Sequence, residues 1–170
     1  ITMIDDSYAF DGATAGMRAL GGAEKAFSHL SCALASRGHN VTVINRCVYQ
    51  SSVDGVLWVP FDMPRPPGND VIIAFRKPEL LSEFEDHMSD SVVWLWGNPE
   101  LLNQPGNQKI LERYNPHVVF LSNTQRLSWK SWRDFKAVTI LPGVAASYIN
   151  SSPSKNIPPP VAIVTTHPLH

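Results

Sequence analysis

Short runs of almost entirely apolar residues recur along this chain and limit the folds that it can adopt. Three of them are DVIIAF at 70–75, VVWLW at 92–96 and HVVFLS at 117–122. Successive side chains of a strand point to opposite faces of a sheet, so these runs predict strands that are buried on both faces. Strands of that kind are typical of parallel sheets with helices packed on each side.

Segments with helical patterns separate these runs. The first, at 23–37, has an apolar face made of Ala23, Ala26, Phe27, Leu30, Ala33 and Leu34, and Gly38 is expected to end it. Further helices are predicted near 79–88, near 105–114 and at 124–135, and further strands at 1–4, 40–45, 55–60 and 137–143. This alternation predicts a Rossmann-like, doubly wound α/β domain with a mostly parallel sheet and helices on both faces.

The overall charge and composition narrow the classes of function. The chain of 170 residues has a formal net charge of −1, so no general positive field would attract nucleic acid. Its two cysteines, Cys32 and Cys47, are predicted to be reduced thiols in the core, as is usual in the cytoplasm. No apolar run approaches the roughly 20 residues that a membrane span needs. We therefore expect a cytoplasmic protein that does not bind nucleic acid.

A glycine pair, Gly21 and Gly22, stands between the loop that starts at Ser7 and the first long helix. Ligands of open α/β sheets bind outside the carboxyl ends of the strands, and the start of a helix favours an anion. The pair is therefore a candidate for a turn that contacts a diphosphate. The alternative is a tight turn into the helix, with Gly22 as its cap and Glu24 as an acid of the first turn, whose carboxylate would compete with an anion.

Candidate binding residues follow two of the later strands. Arg76 and Lys77 come directly after the strand at 70–75, where they could bind a phosphate or an acidic acceptor, or form a solvated basic turn. After the next strand, Trp96 could stack on a sugar ring and Asn98 could bond a hydroxyl. Trp94 is predicted to pack in the core, because aromatic side chains bury a large area.

The sequence offers no metal site and identifies no catalytic residue. Asp5 and Asp6 are adjacent on an extended chain, so they are interpreted as the start of a loop rather than as a chelating pair. The six histidines are His29, His39, His87, His117, His167 and His170, and they show no ligand spacing. Ser147 lacks the context of a nucleophile elbow. Asp11 lies in the long loop after Ser7, from which it could reach the edge of the sheet where a ligand would bind.

The predicted helix at 124–135 carries both aromatic and basic side chains. Trp129 and Trp132 are three residues apart, and we expect them on one face, packed in the core or in an interface. Arg126, Lys130 and Arg133 would form a basic stripe on the same helix. A solvated face is the simpler interpretation of that stripe, and a weak contact with a membrane surface is left open.

Four stretches resemble, in order along the chain, the amino-terminal domain of retaining glycosyltransferases with the GT-B fold, in particular glycosyltransferase family 4. They are GGAEKAFSHLSCALASRGHNVTVIN at 21–45, VVFLSNTQRLSW at 118–129, VTILPGVAASYI at 138–149 and AIVTTHPLH at 162–170. The chain departs from the family where Pro142 replaces the usual Asn. It also has Trp96, Gly97 and Asn98 where the family often carries a His-Asp or similar polar pair.

The resemblance implies one half of a GT-B fold and a domain division. Residues 1–149 would form the acceptor-side domain, the Pro- and Ser-rich stretch 150–160 a linker, and residues 161–170 the first strand of a truncated carboxy-terminal domain that holds the donor. The whole protein would transfer a sugar, as a hexosyltransferase does, from a nucleotide sugar to a carbohydrate or lipid-linked acceptor, with retention and without a metal or other cofactor. Alone, this piece would be nearly inactive.

The resemblance also implies roles for residues of the cleft. Gly21, Gly22 and Glu24 would lie against the donor diphosphate, and Arg76, Trp96 and Asn98 would contact the acceptor. A peripheral position at the inner membrane face would suit a lipid-linked acceptor. The second hypothesis is a Rossmann-like nucleotide-binding, sugar-binding or regulatory module without chemistry. A dehydrogenase is the weaker third, because no G-x-G-x-x-G motif follows the first strand.

Overall fold

The computed structural model describes residues 1–65, 67–84, 90–144 and 149. These residues form one eight-stranded sheet in the order β3-β4-β2-β1-β5-β6-β7-β8. The strands are β1 (Thr2–Ile4), β2 (Val41–Asn45), β3 (Ser51–Val53), β4 (Val56–Pro60), β5 (Val71–Phe75), β6 (Asp90–Trp94), β7 (His117–Phe120) and β8 (Ala137–Thr139). All neighbours are parallel except β3 and β4. The predicted Rossmann-like, mostly parallel α/β fold is confirmed.

The winding of the chain reverses at β1. From β1 the chain moves to β2 and β4 on one side of the sheet, then returns to place β5 against the other side of β1 and continues outward to β8. Thr2 is therefore paired with Thr42 of β2 and with Ile72 of β5. In sheets of this kind the crevice for a ligand lies outside the carboxyl ends of the two strands at the reversal.

Two apolar cores cover the two faces of the sheet, as the alternation of side chains along each strand requires. Met3 packs on one face with Phe27 and Trp58, whereas its neighbour Ile4 packs on the other face with Leu111. The helices are α1 (Thr14–Met17), α2 (Gly22–Ala35), α3 (Pro105–Tyr114) and α4 (Asn123–Ser128), with 3-10 helices at Pro78–Glu83 and Pro99–Asn103. Phe27 belongs to α2 and Leu111 to α3, so helices cover both faces.

The buried face of α2 differs from the predicted one. Ala23 and Phe27 are buried as expected, but so are Glu24, Ser28 and Ser31, whereas the predicted Leu30 and Leu34 are only half-buried. The Ser31 hydroxyl donates to the Ser28 carbonyl at 2.8 Å, so its burial leaves no unpaired donor. Small serine side chains let the helix lie close to the sheet at these positions.

The predicted helix at 124–135 is wrong beyond Ser128. Trp129 has extended backbone, and its indole N–H donates to Asn103 Oδ1 at 3.0 Å. Its ring lies 5.4 Å from the Phe135 ring, and the Trp132 ring lies 5.2 Å from the same ring. These contacts draw the segment away from helical geometry, so the two tryptophans do not share a helix face. Lys130 and Arg133 lie beyond the helix that carries Arg126, and all three basic side chains are exposed.

Smaller differences occur elsewhere. The helix expected near 79–88 is a 3-10 helix at Pro78–Glu83, and residues 85–89 lie outside the described part of the chain. The loop after Ser7 contains the short helix α1. Strand β3 was not predicted; it pairs antiparallel with β4 through Asp54 and Gly55, which both have positive φ. Within the described residues, no helix has the length and apolar character needed to cross a membrane.

Both cysteines are free thiols, as predicted. Cys47 is buried and Cys32 is half-buried. Burial raises the pKa of both thiols above the ordinary value, which keeps them protonated and unreactive.

A buried asparagine at the end of β2 anchors the loop that leads from β1 to α2. Asn45 Nδ2 donates to the Phe10 carbonyl at 2.6 Å, and Asn45 Oδ1 accepts from the Cys47 N–H at 3.0 Å. Phe10 packs edge-on against Phe27 and Trp58. This anchor fixes the part of the loop that reaches the carboxyl edge of the sheet.

We predict that Asn45→Ala lowers the free energy of unfolding by about 2 kcal/mol, because the Phe10 carbonyl and the Cys47 N–H would stay buried without partners. Denaturant titration measures the change. The control is Asn40→Ala at an exposed position, which should change the value by less than about 0.5 kcal/mol. Equal effects of the two substitutions would contradict the proposed anchor.

Candidate functional site

Two adjoining clefts open at the carboxyl edge of the sheet, the first beside residues that follow β1 and β5 and the second beside the ends of β6, β7 and β8. The first has a volume of about 750 Å³. It is lined by Tyr8, Ala9, Arg18, Ala19, Leu20, Gly21, Gly22, Ala23, Glu24, Arg76 and Trp96. The structure thus brings together in one cleft the glycine pair, Glu24, Arg76 and Trp96, which the sequence had indicated as candidate binding residues. This is the crevice that the reversal at β1 creates.

The glycine pair forms the start of α2. Gly21 is the residue before the first turn, with extended backbone and no side-chain cap, and Gly22 is the first helical residue. A Cβ atom added to Gly22 would meet no other atom within 4 Å, so this part of the helix start faces open space. A Cβ atom added to Gly21 would clash with Glu24 Oε2. The Glu24 carboxylate therefore folds back over Gly21.

Glu24 and Arg76 form an ion pair with each other. The sequence had assigned Glu24 to the donor diphosphate and Arg76 to the acceptor. Arg76 Nη2 contacts Glu24 Oε1, and both side chains are largely buried. Arg76 has a φ of +69°, a left-handed conformation that is uncommon for residues other than glycine. Its N–H still donates to the Trp94 carbonyl at 2.9 Å, which continues the pairing of β5 with β6. This turn directs the Arg76 side chain into the first cleft.

The first cleft carries a second guanidinium that the sequence analysis missed. Arg18 is exposed, lines the cleft and donates from Nη2 to the Ala9 carbonyl at 2.5 Å. Two arginines thus face a single carboxylate, that of Glu24, among the charged residues of the lining. The available signal was the position of Arg18 shortly before the glycine pair. The cleft has a net positive charge and suits an anion.

Two carboxylates, those of Asp5 and Asp6, directly follow β1 and do not line the first cleft. Asp5 begins the loop after β1, as interpreted from the sequence, and it is also fully buried. Its Oδ1 accepts from the Ser7 hydroxyl at 2.8 Å, whereas Oδ2 has no hydrogen-bond partner among the described residues. Burial raises the pKa of Asp5, although the Ser7 hydroxyl and the positive charge of Arg76 oppose the increase. Asp6 pairs with Lys77 Nζ at 2.8 Å.

The second cleft, of about 570 Å³, shares Gly22 and Trp96 with the first. Its other lining residues are Lys25, Ala26, His29, Trp94, Leu121, Ile140, Leu141, Pro142, Gly143 and Val144. The Trp94 ring lies 4.9 Å from the Phe75 ring and 5.7 Å from the Trp96 ring. Trp94 packs against the core, as predicted, but it is only half-buried and also forms a wall of this cleft.

Other candidate residues lie elsewhere. Asn98, a predicted acceptor contact, lines neither cleft among the described residues; its Oδ1 accepts from the Glu100 N–H at 3.0 Å and caps a 3-10 helix. The Asp11 carboxylate accepts from the Thr14 N–H at 2.9 Å, at the start of α1. Outside the described residues lie His87, Ser147, His167, His170 and the predicted linker and second domain. In the described part of the chain, no cluster of three His, Cys, Asp or Glu residues could hold a metal ion.

Comparison with known proteins gives a likeness in structure alone. No protein-family model matches the chain, and neither does any curated protein sequence. The structure is similar to the crystal structure of WaaG, a glycosyltransferase involved in lipopolysaccharide biosynthesis, with a TM-score of 0.53 and 13% sequence identity. The match covers 90% of this chain and 48% of that chain, so this chain spans about half the length of WaaG. The likeness shows a Rossmann-like fold shared with a glycosyltransferase.

We predict that Asp5→Asn raises the free energy of unfolding above that of the parent, and that the difference between the two proteins grows as pH rises. In the folded protein Asp5 holds its proton to a higher pH than the ordinary value of 3.8. The folded state therefore binds more protons than the unfolded state above that value, and the free energy of unfolding falls as pH rises through the raised pKa. Asparagine does not titrate, so the variant lacks this fall.

Denaturant titrations of both proteins between pH 3.5 and neutrality measure the difference. A second variant, Ser7→Ala, removes a hydrogen bond that favours the charged form of Asp5, so it should steepen the fall. If the difference in free energy of unfolding between Asp5→Asn and the parent stays constant with pH, the raised pKa of Asp5 in the folded protein is refuted.

Proposed function

We propose that this chain is the acceptor-side domain of a glycosyltransferase that moves a sugar from a nucleotide-sugar donor to an acceptor hydroxyl with retention of configuration. The observation that carries the proposal is the first cleft, in which the start of α2 at Gly21 and Gly22 faces Arg76 at the reversal of the sheet. The fold shared with WaaG supports the general kind of activity.

The start of α2 is suited to the diphosphate of a donor. The first turn of a helix leaves N–H groups without acceptors inside the helix, and the positive end of the helix dipole lies there. Gly22 offers open space beside these groups. Arg18 and Arg76 add positive charge, and a volume of about 750 Å³ is in the usual range for ligand sites. A diphosphate would bind the main-chain N–H groups and the Arg76 guanidinium.

Glu24 is better suited to orient the Arg76 side chain than to bind a diphosphate itself. Its carboxylate repels phosphate, occupies space over Gly21 and already pairs with Arg76 Nη2. A guanidinium has five N–H donors, so the pair leaves others that can reach a phosphate oxygen. We therefore propose the main chain at Gly21 and Gly22 and the Arg76 side chain as the contacts of the donor, with Glu24 holding Arg76 in position until the diphosphate displaces the Glu24 carboxylate.

The chemistry of transfer fits this arrangement. An acceptor hydroxyl replaces the diphosphate at the anomeric carbon, and negative charge builds up on the leaving diphosphate. N–H groups and a guanidinium directed at that charge stabilise the transition state. The second cleft would hold the acceptor, with the Trp96 indole offering a flat face to a sugar ring. The two clefts share Gly22 and Trp96, so their ligands would be neighbours.

A nucleotide-binding or sugar-binding module without chemistry is the second candidate, and one observation favours it. Among the described residues that line the first cleft, the one carboxylate, Glu24, is paired with Arg76 and no histidine is present. An acid–base group for the transfer is thus not identified there. Release of nucleoside diphosphate from a nucleotide sugar and an acceptor by the whole encoded protein would favour the enzyme, and binding without release would favour the module.

We predict that a nucleoside diphosphate shifts the amide resonances of Gly21 and Gly22 in the isotopically labelled chain. We expect weak binding, with Kd above about 0.1 mM, because the donor would be held chiefly by another domain. Gly22→Ala should weaken the binding at least fivefold, since its methyl group would fill the space into which the ligand must come.

The matched control is Gly106→Ala. Gly106 also lies in the first turn of a helix, α3, and a Cβ atom there would also meet nothing within 4 Å. This substitution should leave the binding unchanged. Shifts confined to other parts of the sheet, or the same loss in both variants, would argue against the diphosphate site. Tight binding by this chain alone would argue against a donor held elsewhere.

A further inference from the structure

One wall of the second cleft is a cluster of exposed aliphatic side chains. Ile140, Leu141 and Val144 follow β8, and their exposed fractions are 58%, 70% and 66%. Single exposed aliphatic residues are common on protein surfaces, but a contiguous group beside a concave site indicates a place where an apolar ligand binds. Trp94, Trp96 and Leu121 add further apolar surface to the lining of the cleft.

The wall that α2 contributes to this cleft is basic. Lys25 and His29 are four residues apart on α2 and therefore lie on the same side of the helix. Both are exposed, and no carboxylate is present among the described residues that line this cleft. Gly22, at the positive end of the helix dipole, closes the same wall. Among the described residues of this lining, Lys25 is thus the one side chain with a formal charge at neutral pH, and it lies on α2 together with His29.

We propose that the second cleft binds an anionic amphiphile, with its apolar chain between Trp94 and the Ile140–Val144 wall and its phosphate or carboxylate at Lys25. The apolar walls supply the affinity for the chain, and the basic wall fixes which end of the ligand lies near Gly22. Only the role of this amphiphile as the acceptor rests on the proposed function. Its binding does not, because it needs no donor and no transfer step.

The shape of the site favours one inserted chain over a flat lipid surface. The two indole rings meet at an interplanar angle of 79°, so they form a corner rather than a plane. A corner surrounds a single chain on two sides and buries more of its surface than a flat contact would. A volume of about 570 Å³ is in the usual range for small-molecule sites.

Monomeric octyl phosphate is the first probe, and the fluorescence of the tryptophans together with amide shifts at Lys25 and Leu141 reports its binding. We expect octyl phosphate to bind at least fivefold more tightly than octanol or octyltrimethylammonium. Hexyl phosphate should bind about tenfold more weakly, since two buried methylene groups are lost. Inorganic phosphate should give no tryptophan response, which separates the amphiphile from a simple anion.

Matched variants test the two walls. Leu141→Asp should lower the affinity for octyl phosphate at least tenfold, whereas Leu127→Asp, at a position that is 82% exposed on α4, should not change it. Lys25→Glu should abolish the preference for octyl phosphate over octanol. Lys109→Glu, at an exposed position on α3, should preserve that preference. All four positions are largely open to solvent, so the variants are expected to fold, and circular dichroism verifies this.

Equal binding of octanol and octyl phosphate, or an unchanged affinity in Leu141→Asp, would overturn the proposal. If the protein sediments with anionic vesicles but does not bind monomeric octyl phosphate, the Ile140–Val144 wall contacts a membrane surface. The proposal that one apolar chain lies in the cleft is then rejected. A nucleoside diphosphate that still shifts Gly21 and Gly22 while octyl phosphate fails to bind would reject this inference alone and leave the proposed function standing.

Discussion

The reversal of the winding at β1 is the constraint on which the rest of the structure depends. β1 is paired on both edges and covered on both faces, so Thr2, Met3 and Ile4 are all almost completely buried. A parallel sheet built outward from such a strand must separate its connections at the carboxyl ends of β1 and β5. The crevice is therefore a consequence of topology, and the residues that follow those two strands become its walls whatever their side chains are.

The charges at this crevice form one connected group. Arg76 adopts a left-handed backbone conformation that costs about 1 kcal/mol in a residue with a Cβ atom. The surrounding structure maintains it through the hydrogen bond to the Trp94 carbonyl and the ion pair with Glu24. Asp5 lies close enough to Arg76 for its pKa to be affected by the guanidinium. Strain and a buried carboxyl at one place are more typical of a binding site than of a stabilising core.

The sequence predicted what depends on local pattern and missed what depends on distant contacts. Apolar runs located the central strands, and the apolar periodicity that begins at Ala23, directly after the glycine pair, located the start of α2. The hairpin of β3 and β4 was within reach, because Asp54-Gly55 between β-branched residues is a strong turn signal. The end of α4 was not within reach, because Trp129 leaves the helix to bond Asn103, a residue 26 positions away. The pairing of Glu24 with Arg76, 52 residues apart, is equally invisible in the sequence.

The Glu24 carboxylate limits the positive charge that the first cleft presents to a ligand. While it pairs with Arg76, it lies over Gly21 and partly neutralises both the guanidinium and the start of the helix. A diphosphate carries more negative charge than one carboxylate, so it would compete for the same N–H groups and displace the Glu24 side chain. Displacement exposes a largely buried carboxylate to water, which lowers the cost of separating the pair. Glu24 thus compensates part of the positive charge of the first cleft, and an anion bound there would exchange one set of charge-assisted hydrogen bonds for another without leaving Arg76 unpaired.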